Sequence, residues 1–202
     1  MISKSSLVFL ILFITGCASA YHHSDFLPAS IPLQSGKYFK QEYVAPGTDF
    51  RRYRKVKIEP VNLDYFENKS EFSQSRLSAL TAVFQKDLQE QLGKVYQVLD
   101  ADTSPDAETI IVRPALVKVG LSYQVLEVQN ESFGGPVAFG ASVFEAKLID
   151  GSSGAAIAFI AEKRTSKGPR QPAGFSTNYP HAEITFRKWA NRLREMVQSY
   201  HV

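Results

Sequence analysis

The sequence holds a single cysteine among 202 residues. That excludes an internal disulfide framework and any metal site built from several thiolates. Histidine is scarce as well, with four in all, so a Ser-His-Asp site or a histidine-rich metal centre has few residues to draw on. No apolar run is long enough to cross a bilayer, which takes about 20 residues. Neither sign of charge prevails, with 23 Lys and Arg against 20 Asp and Glu. No repeat of the length that builds solenoids or propellers is visible. What remains is 44% apolar and 21% charged. Those are the proportions of an ordinary globular domain, which excludes collagen, coiled coil and wholesale disorder. A chain of this size buries roughly 70% of its unfolded surface and folds without staples.

The N-terminus reads as an export signal. Lys4 precedes eight consecutive apolar residues, Leu7 to Ile14, too few to span a membrane but suited to a signal's hydrophobic stretch. Ile14-Thr15-Gly16-Cys17 follows, and resembles the lipobox of bacterial lipoproteins: an aliphatic residue, two small residues, then the cysteine. The resemblance implies that residues 1–16 are removed, that Cys17 is lipidated on sulfur, and that its new amino group is open to acylation. Only a thiol supplies the nucleophile this needs, and the chain's one cysteine stands at the required place. Ala18-Ser19-Ala20 also fits an ordinary Ala-x-Ala cleavage, which would release a chain starting at Tyr21. Alanine after the cysteine, rather than the aspartate that retains such proteins in the inner membrane, points to the outer membrane, facing the periplasm. The membrane is thus an expected partner through acyl chains on Cys17.

Residues 17–36 read as a lipidated N-terminus and flexible tether, with Phe26 and Leu27 able to dock on the domain that fills residues 37–202. His22 and His23 are adjacent on this tether, a poor geometry for metal ligation. Charge falls in blocks. Residues 37–57 carry seven basic and two acidic side chains, residues 58–112 four basic and ten acidic, and the chain from Glu162 onward eight basic and three acidic. Two readings follow: a basic face for anionic lipid heads or cell-wall carboxylates, or basic and acidic blocks that meet and cancel. Nucleic acid is excluded as a partner by export.

Periodicity sets the elements. Lys55 to Val61 alternates as a strand with Val56 and Ile58 inward. Phe72 to Leu92 places Leu77, Leu80, Phe84, Leu88 and Leu92 on one helical stripe, with Ser73 or Ser75 as N-cap and Gly93 as the stop. Val95 to Leu99 is a short strand, and Asp100 to Ala107 a polar loop. Thr109 to about Val128 is a long strand, in which Pro114 suggests an edge position or a bulge. Asn130 to Gly140 is a loop. Ala141 to Ile149 and Ala155 to Arg164 form a hairpin across Asp150-Gly151-Ser152-Ser153-Gly154, with glycines supplying positive φ. Pro180 opens a last helix whose stripe runs through Ile184 or Phe186, Trp189, Leu193, Met196 and Tyr200. The order β-α-β-β-β-β-α predicts an α+β two-layer sandwich: a mixed or mostly antiparallel sheet of about five strands with two helices on one face. A ferredoxin-like arrangement is the alternative.

Ser24-Asp25-Phe26-Leu27, Tyr53-Arg54-Lys55-Val56-Lys57-Ile58-Glu59-Pro60, Ile111-Val112-Arg113-Pro114-Ala115, Asp150-Gly151-Ser152-Ser153-Gly154 and Trp189-Ala190 occur in this order. The pattern is similar to a family of proteobacterial lipoproteins known as a domain of unknown function, number thirty-three thirteen. The resemblance spans nearly the whole chain after Cys17, and departs where Ser153 stands in place of the family's threonine. It implies an exported, anchored, non-enzymatic protein and brings no catalytic residues.

Candidates for chemistry are few. His181 starts a helix and His201 is next to the C-terminus. Gly134-Gly135-Pro136 lacks the Lys-Ser/Thr of a phosphate loop. Asp100, Asp102 and Asp106 alternate loosely like calcium ligands but lack the spaced glycine and closing glutamate. Glu145 and Glu162 can be placed across the hairpin as an acid/base pair, or as solvated strand positions. Phe133, Val137 and Phe139 put apolar side chains on the 130–140 loop, a possible interaction loop or a core flap. No enzyme activity and no cofactor are expected. The sequence points to an envelope lipoprotein that docks a protein or cell-wall partner. The alternatives are a carrier or sensor of a small apolar ligand and, behind it, a cell-wall hydrolase.

Overall fold

The computed structural model describes residues 23–67, 69–120, 141–165 and 180–200. Six strands form one mixed sheet: β1 (Gln41–Val44), β2 (Lys55–Ile58), β3 (Gln97–Val98), β4 (Thr109–Lys118), β5 (Ala141–Asp150) and β6 (Ala156–Thr165). Helices α1 (Gln74–Leu92) and α2 (Pro180–Gln198) pack against each other on one face. The sheet order is β1-β6-β5-β4-β2-β3, with β2 parallel to both β3 and β4 and the other pairs antiparallel. This is the expected α+β sandwich with one strand more. The extra strand is β1, a four-residue edge strand, half-buried throughout, whose Gln-Glu-Tyr-Val lacks an alternating apolar pattern.

Helix α1 forms where its stripe is. Ser73 caps it, its Oγ accepting the Arg76 N–H at 3.4 Å, and Gly93 ends it with its N–H donating to the Gln89 carbonyl. Leu80, Phe84 and Leu88 of α1, and Phe186, Trp189 and Leu193 of α2, close over Val56, Val112, Phe144, Leu148 and Ile160 of the sheet. Tyr200, placed on the α2 stripe from sequence, lies past the helix end and is 38% exposed, its ring tilted against that of Phe50 at 4.8 Å.

Pro114 does not sit at an edge. β4 runs between β5 and β2, and Pro114 is tolerated because β2 breaks beside it at Pro60. The Glu59 N–H donates to the Val112 carbonyl, and pairing resumes when the Asn62 N–H donates to the Pro114 carbonyl, both at 2.9 Å. The strand position that lacks a donor therefore faces a gap in its neighbour. Pro114 itself is in regular register with Ala146 of β5, and the strand's register shift falls between Leu116 and Lys118 instead. Residues 121–140, which hold the remainder of the strand expected to about Val128 and the loop expected over 130–140, lie outside the described residues.

The hairpin turn uses its two glycines differently. Gly154 takes φ +69°, as the turn requires. Gly151 has no positive φ. It is small because a Cβ there would lie 2.7 Å from the Asp106 and Thr109 carbonyl oxygens. Gly154→Val is expected to cost roughly 1–2 kcal/mol through backbone strain alone, since nothing stands within 4 Å of the added Cβ. Thermal melting of the variant tests this, and an unchanged midpoint contradicts it.

The second face of the sheet is covered by the N-terminal segment. Of the stretch read as a tether, the part from Ser24 onward lies on the sheet: Phe26 and Leu27 are buried against Ala115, Phe159 and Ala161, with Ile31, Leu33 and Tyr43 packed around them. The sheet is thus enclosed by helices on one side and by the segment from Phe26 to Leu33 on the other.

Candidate functional site

A strongly charged concavity forms where the 35–40 loop meets β6 and α2. The loop is shaped by Glu42 of β1, whose carboxylate accepts the backbone N–H groups of Lys37 at 3.0 Å and Phe39 at 3.1 Å. Gly36 passes directly under that side chain, and any Cβ there would collide with it. Phe39 is driven into the core, while Lys37 and Lys40 stay exposed. Glu162, at the far end of β6, is buried beneath the loop. It accepts the Lys40 backbone N–H at 2.7 Å on Oε2 and an Arg192 N–H from α2 at 2.9 Å on Oε1. Arg164 adds a further cation. The result is a groove of about 560 Å³ lined by Ser35, Lys37, Tyr38, Lys40, Arg164 and Arg192 around that one carboxylate.

The charge blocks meet differently at the two edges of the sheet. Near β2 the first basic block meets the acidic one: Lys55 pairs with Asp106 at 2.5 Å. The Lys55 ammonium and the Thr109 hydroxyl hold the Asp106 carboxyl down at about 2. At the groove, the first and last basic blocks meet each other instead. Among the described residues, no ion pair forms at Lys37, Lys40 or Arg164. The Ser199 hydroxyl and the Lys37 ammonium hold the Tyr38 phenol below its ordinary range.

Glu145 and Glu162 do not form a pair. Glu145 is in register with Ala161, and Glu162 with Phe144, so the two carboxylates leave opposite faces of the sheet. Their offset by one residue across the hairpin reverses one of them, because side chains alternate along a strand. Glu145 is fully buried. Its two oxygens accept the backbone N–H and the hydroxyl of Ser24, each at 2.7 Å. Lys147 follows on the same face, its ammonium 4.4 Å from the centre of the Phe26 ring. Burial first, and then Arg113, push Lys147 below its ordinary pKa.

Asp150 organises the hairpin end. Its Oδ1 accepts the N–H and hydroxyl of both Ser152 and Ser153, at 2.7–3.1 Å. Its Oδ2 accepts the buried Tyr53 hydroxyl at 2.8 Å and pairs with Arg52 at 3.0 Å. Burial alone would raise this carboxyl's pKa, but the hydrogen bonds outweigh it and hold the group well below the carboxylate range.

Of the other sequence candidates, Cys17, His22, His201, Gly134-Gly135-Pro136 and the interaction-loop residues Phe133, Val137 and Phe139 lie outside the described residues. His181 is in the first turn of α2. Among the described residues, no group of three or more His, Cys, Asp or Glu side chains is placed to hold a metal, and no helix is long and apolar enough to cross a membrane.

The fold is a two-layer sandwich whose sheet is stitched by polar side chains at both ends. The chain belongs to the family described as protein of unknown function DUF3313, whose model matches residues 32–193. No curated protein matches it in sequence. Among solved structures it is similar to the PelC dodecamer from Paraburkholderia phytofirmans, at 13% identity and TM-score 0.41, covering 75% of this chain and 96% of that one. It is also similar to a putative neuraminyllactose-binding hemagglutinin homolog from Helicobacter pylori, at 13% identity and TM-score 0.38, covering 78% and 88%. A protein from Xanthomonas campestris assigned to DUF330 matches at 12% identity and TM-score 0.34, covering 76% and 86%.

The residues that carry the family resemblance bind one another or neighbouring strands. Ser24 holds Glu145, Tyr53 holds Asp150, and Glu59 forms a two-bond pair with Arg113 at 2.5 and 2.8 Å. They tie the sheet together and do not converge on one site.

Proposed function

We propose that this protein is an envelope lipoprotein, exported and held by acyl chains on Cys17 at the periplasmic face of the outer membrane, with a non-enzymatic binding role for its folded domain. The observation that carries this reading is the position of the only cysteine. It follows an eight-residue apolar run in the setting Ile14-Thr15-Gly16-Cys17, and it precedes by seven residues the Ser24 that is clamped to the sheet. Each buried methylene contributes about 0.8 kcal/mol, so the two or three chains such processing adds hold a protein firmly where one would not. The domain presents a polar, cation-lined groove, which suits contact with an anionic envelope component.

Cys17→Ser tests the anchor. The wild-type protein is expected in the membrane fraction, with an N-terminus at acylated Cys17 by mass spectrometry. The variant is expected to lose that modification, with Ala18-Ser19-Ala20 open to the ordinary peptidase. A wild-type chain that starts at Tyr21 and washes out with the periplasm contradicts the anchor. One that starts at Met1 contradicts the export signal.

A further inference from the structure

We infer that the groove between the 35–40 loop and α2 is a binding site for a phosphate-bearing anion, gripped by Lys37, Lys40, Arg164 and Arg192. The inference rests on the binding role proposed above and names its ligand chemistry.

Three observations carry it. The cations come from three places in the chain, the 35–40 loop, β6 and α2, and the fold brings them together around one concavity. Glu162, the one carboxylate among the described lining residues, is engaged on both oxygens: one takes the Lys40 backbone N–H and the other Arg192. It is 1% exposed, so it positions the loop and the guanidinium, offsets one of the four positive charges, and is not itself presented to a ligand. Among the described residues, the other polar side chains lining the groove are two ammoniums and two guanidiniums, which only donate, and the Tyr38 and Ser35 hydroxyls.

A site rich in donors and poor in acceptors selects a ligand group that only accepts. Four cations against one carboxylate leave an excess that a single carboxylate ligand does not neutralise. A phosphate or diphosphate group supplies several charges and several acceptor oxygens in a small volume, and arginine forks match it in two-bond geometry. The loop is also built in advance. Glu42 fixes the Lys37 and Phe39 backbone, and Glu162 fixes that of Lys40, so little ordering accompanies binding. Phosphate of this kind occurs free, on a soluble molecule, or on a lipid headgroup, and the groove's chemistry is common to all three.

The test uses the full-length processed protein in a non-ionic detergent, titrated calorimetrically with inorganic pyrophosphate and, separately, with dihexanoyl phosphatidylglycerol, a soluble short-chain lipid. The double variant Lys37→Gln, Lys40→Gln removes two exposed ammoniums that form no ion pair among the described residues, so its melting temperature is expected to stay near wild type. Saturable binding by the wild type is expected. The double variant should weaken it at least about tenfold, as loss of charge-assisted hydrogen bonds does, while Lys57→Gln on β2 leaves it unchanged. Tighter binding of pyrophosphate assigns the site to a terminal or free phosphate, and tighter binding of the lipid assigns it to a headgroup. Three results overturn the inference: no saturable binding of either probe, equal weakening by Lys57→Gln, or binding of oligogalacturonate, a polycarboxylate, in place of both phosphates. None of these bears on the anchor, because the titration reads the same whether or not Cys17 carries lipid.

Discussion

Trp189→Ala is expected to destabilise the protein by about 3–5 kcal/mol, the range for emptying a fully buried large aromatic site. Trp189 has no exposed surface. Its ring stacks on Phe144 of β5 at 5.3 Å and meets Phe84 of α1 at 6.1 Å and Phe186 of α2 at 5.9 Å. One side chain thus fills the junction of both helices with the sheet. Three rings around the vacancy cannot collapse together without moving a helix, which keeps the cost near the top of the range. The indole Nε1 has no hydrogen-bond partner among the described residues, so removing it gives back part of a desolvation penalty. Trp189→Phe is therefore expected to cost clearly less than Trp189→Ala. Urea unfolding measures both. As the chain's only tryptophan, Trp189 also reports on itself, and its native emission should be blue-shifted and shielded from quenchers. Red, readily quenched emission from the folded protein contradicts this packing.

Asp150→Ala is expected to cost about 2–4 kcal/mol. A buried carboxylate that accepts several hydrogen bonds leaves those donors without an acceptor when it is removed, at roughly 1–3 kcal/mol for each buried group. The Tyr53 hydroxyl is such a group, being on a residue with 1% exposure. The serine donors of the turn are partly exposed and turn to water, so they add little. The carboxyl's pKa is lowered in the folded state, so its ionised form favours folding. That contribution is present above the ordinary value of 3.8 and is lost as pH falls through the lower folded value. Asp150→Asn should keep part of the turn and flatten the acid limb of the stability curve. Denaturation midpoints between about pH 2 and pH 6 show whether it does. An acid limb identical in wild type and Asp150→Asn would assign that sensitivity to other carboxyls.

The helices, the hairpin and the α+β architecture were legible because each rests on a local pattern. The stripe from Leu77 to Leu92, the turn chemistry around Gly154 and the proline that opens α2 need no knowledge of distant residues. What escaped notice depends on contacts far apart in sequence. β1 has no period of its own and exists because β6 offers it an edge. Pro114 argues for an edge when β4 is read alone, and only the break in β2 at Pro60 resolves it. The pairing of Glu145 with Glu162 failed on a register offset of one residue, which the lengths of the two strand-like runs do not fix. The groove had a visible trace, the basic blocks at 37–57 and after 162, but their convergence depends on how β6 and α2 approach the 35–40 loop. Glu42 and Glu162 gave no sign in sequence that they shape that loop.

The clamp of Ser24 on Glu145 sets a standoff. A peptide chain advances at most about 3.6 Å per residue, so a domain fixed at Ser24 has that point no farther than about 25 Å from an acyl anchor at Cys17. A domain of this size has a radius of gyration near 15 Å. Its leash is thus shorter than its own width. If Cys17 carries the anchor proposed above, the domain can roll against a bilayer and turn different sides toward it, but it cannot swing far from it. Were the clamp to open as far as the Gln34–Glu42 bridge, the leash would lengthen to about 60 Å. The volume it sweeps grows as the cube of that length, more than tenfold. With the proposed anchor in place, one buried carboxylate, Glu145, would therefore govern how concentrated the groove is at a membrane surface, separately from how tightly the groove binds its proposed ligand.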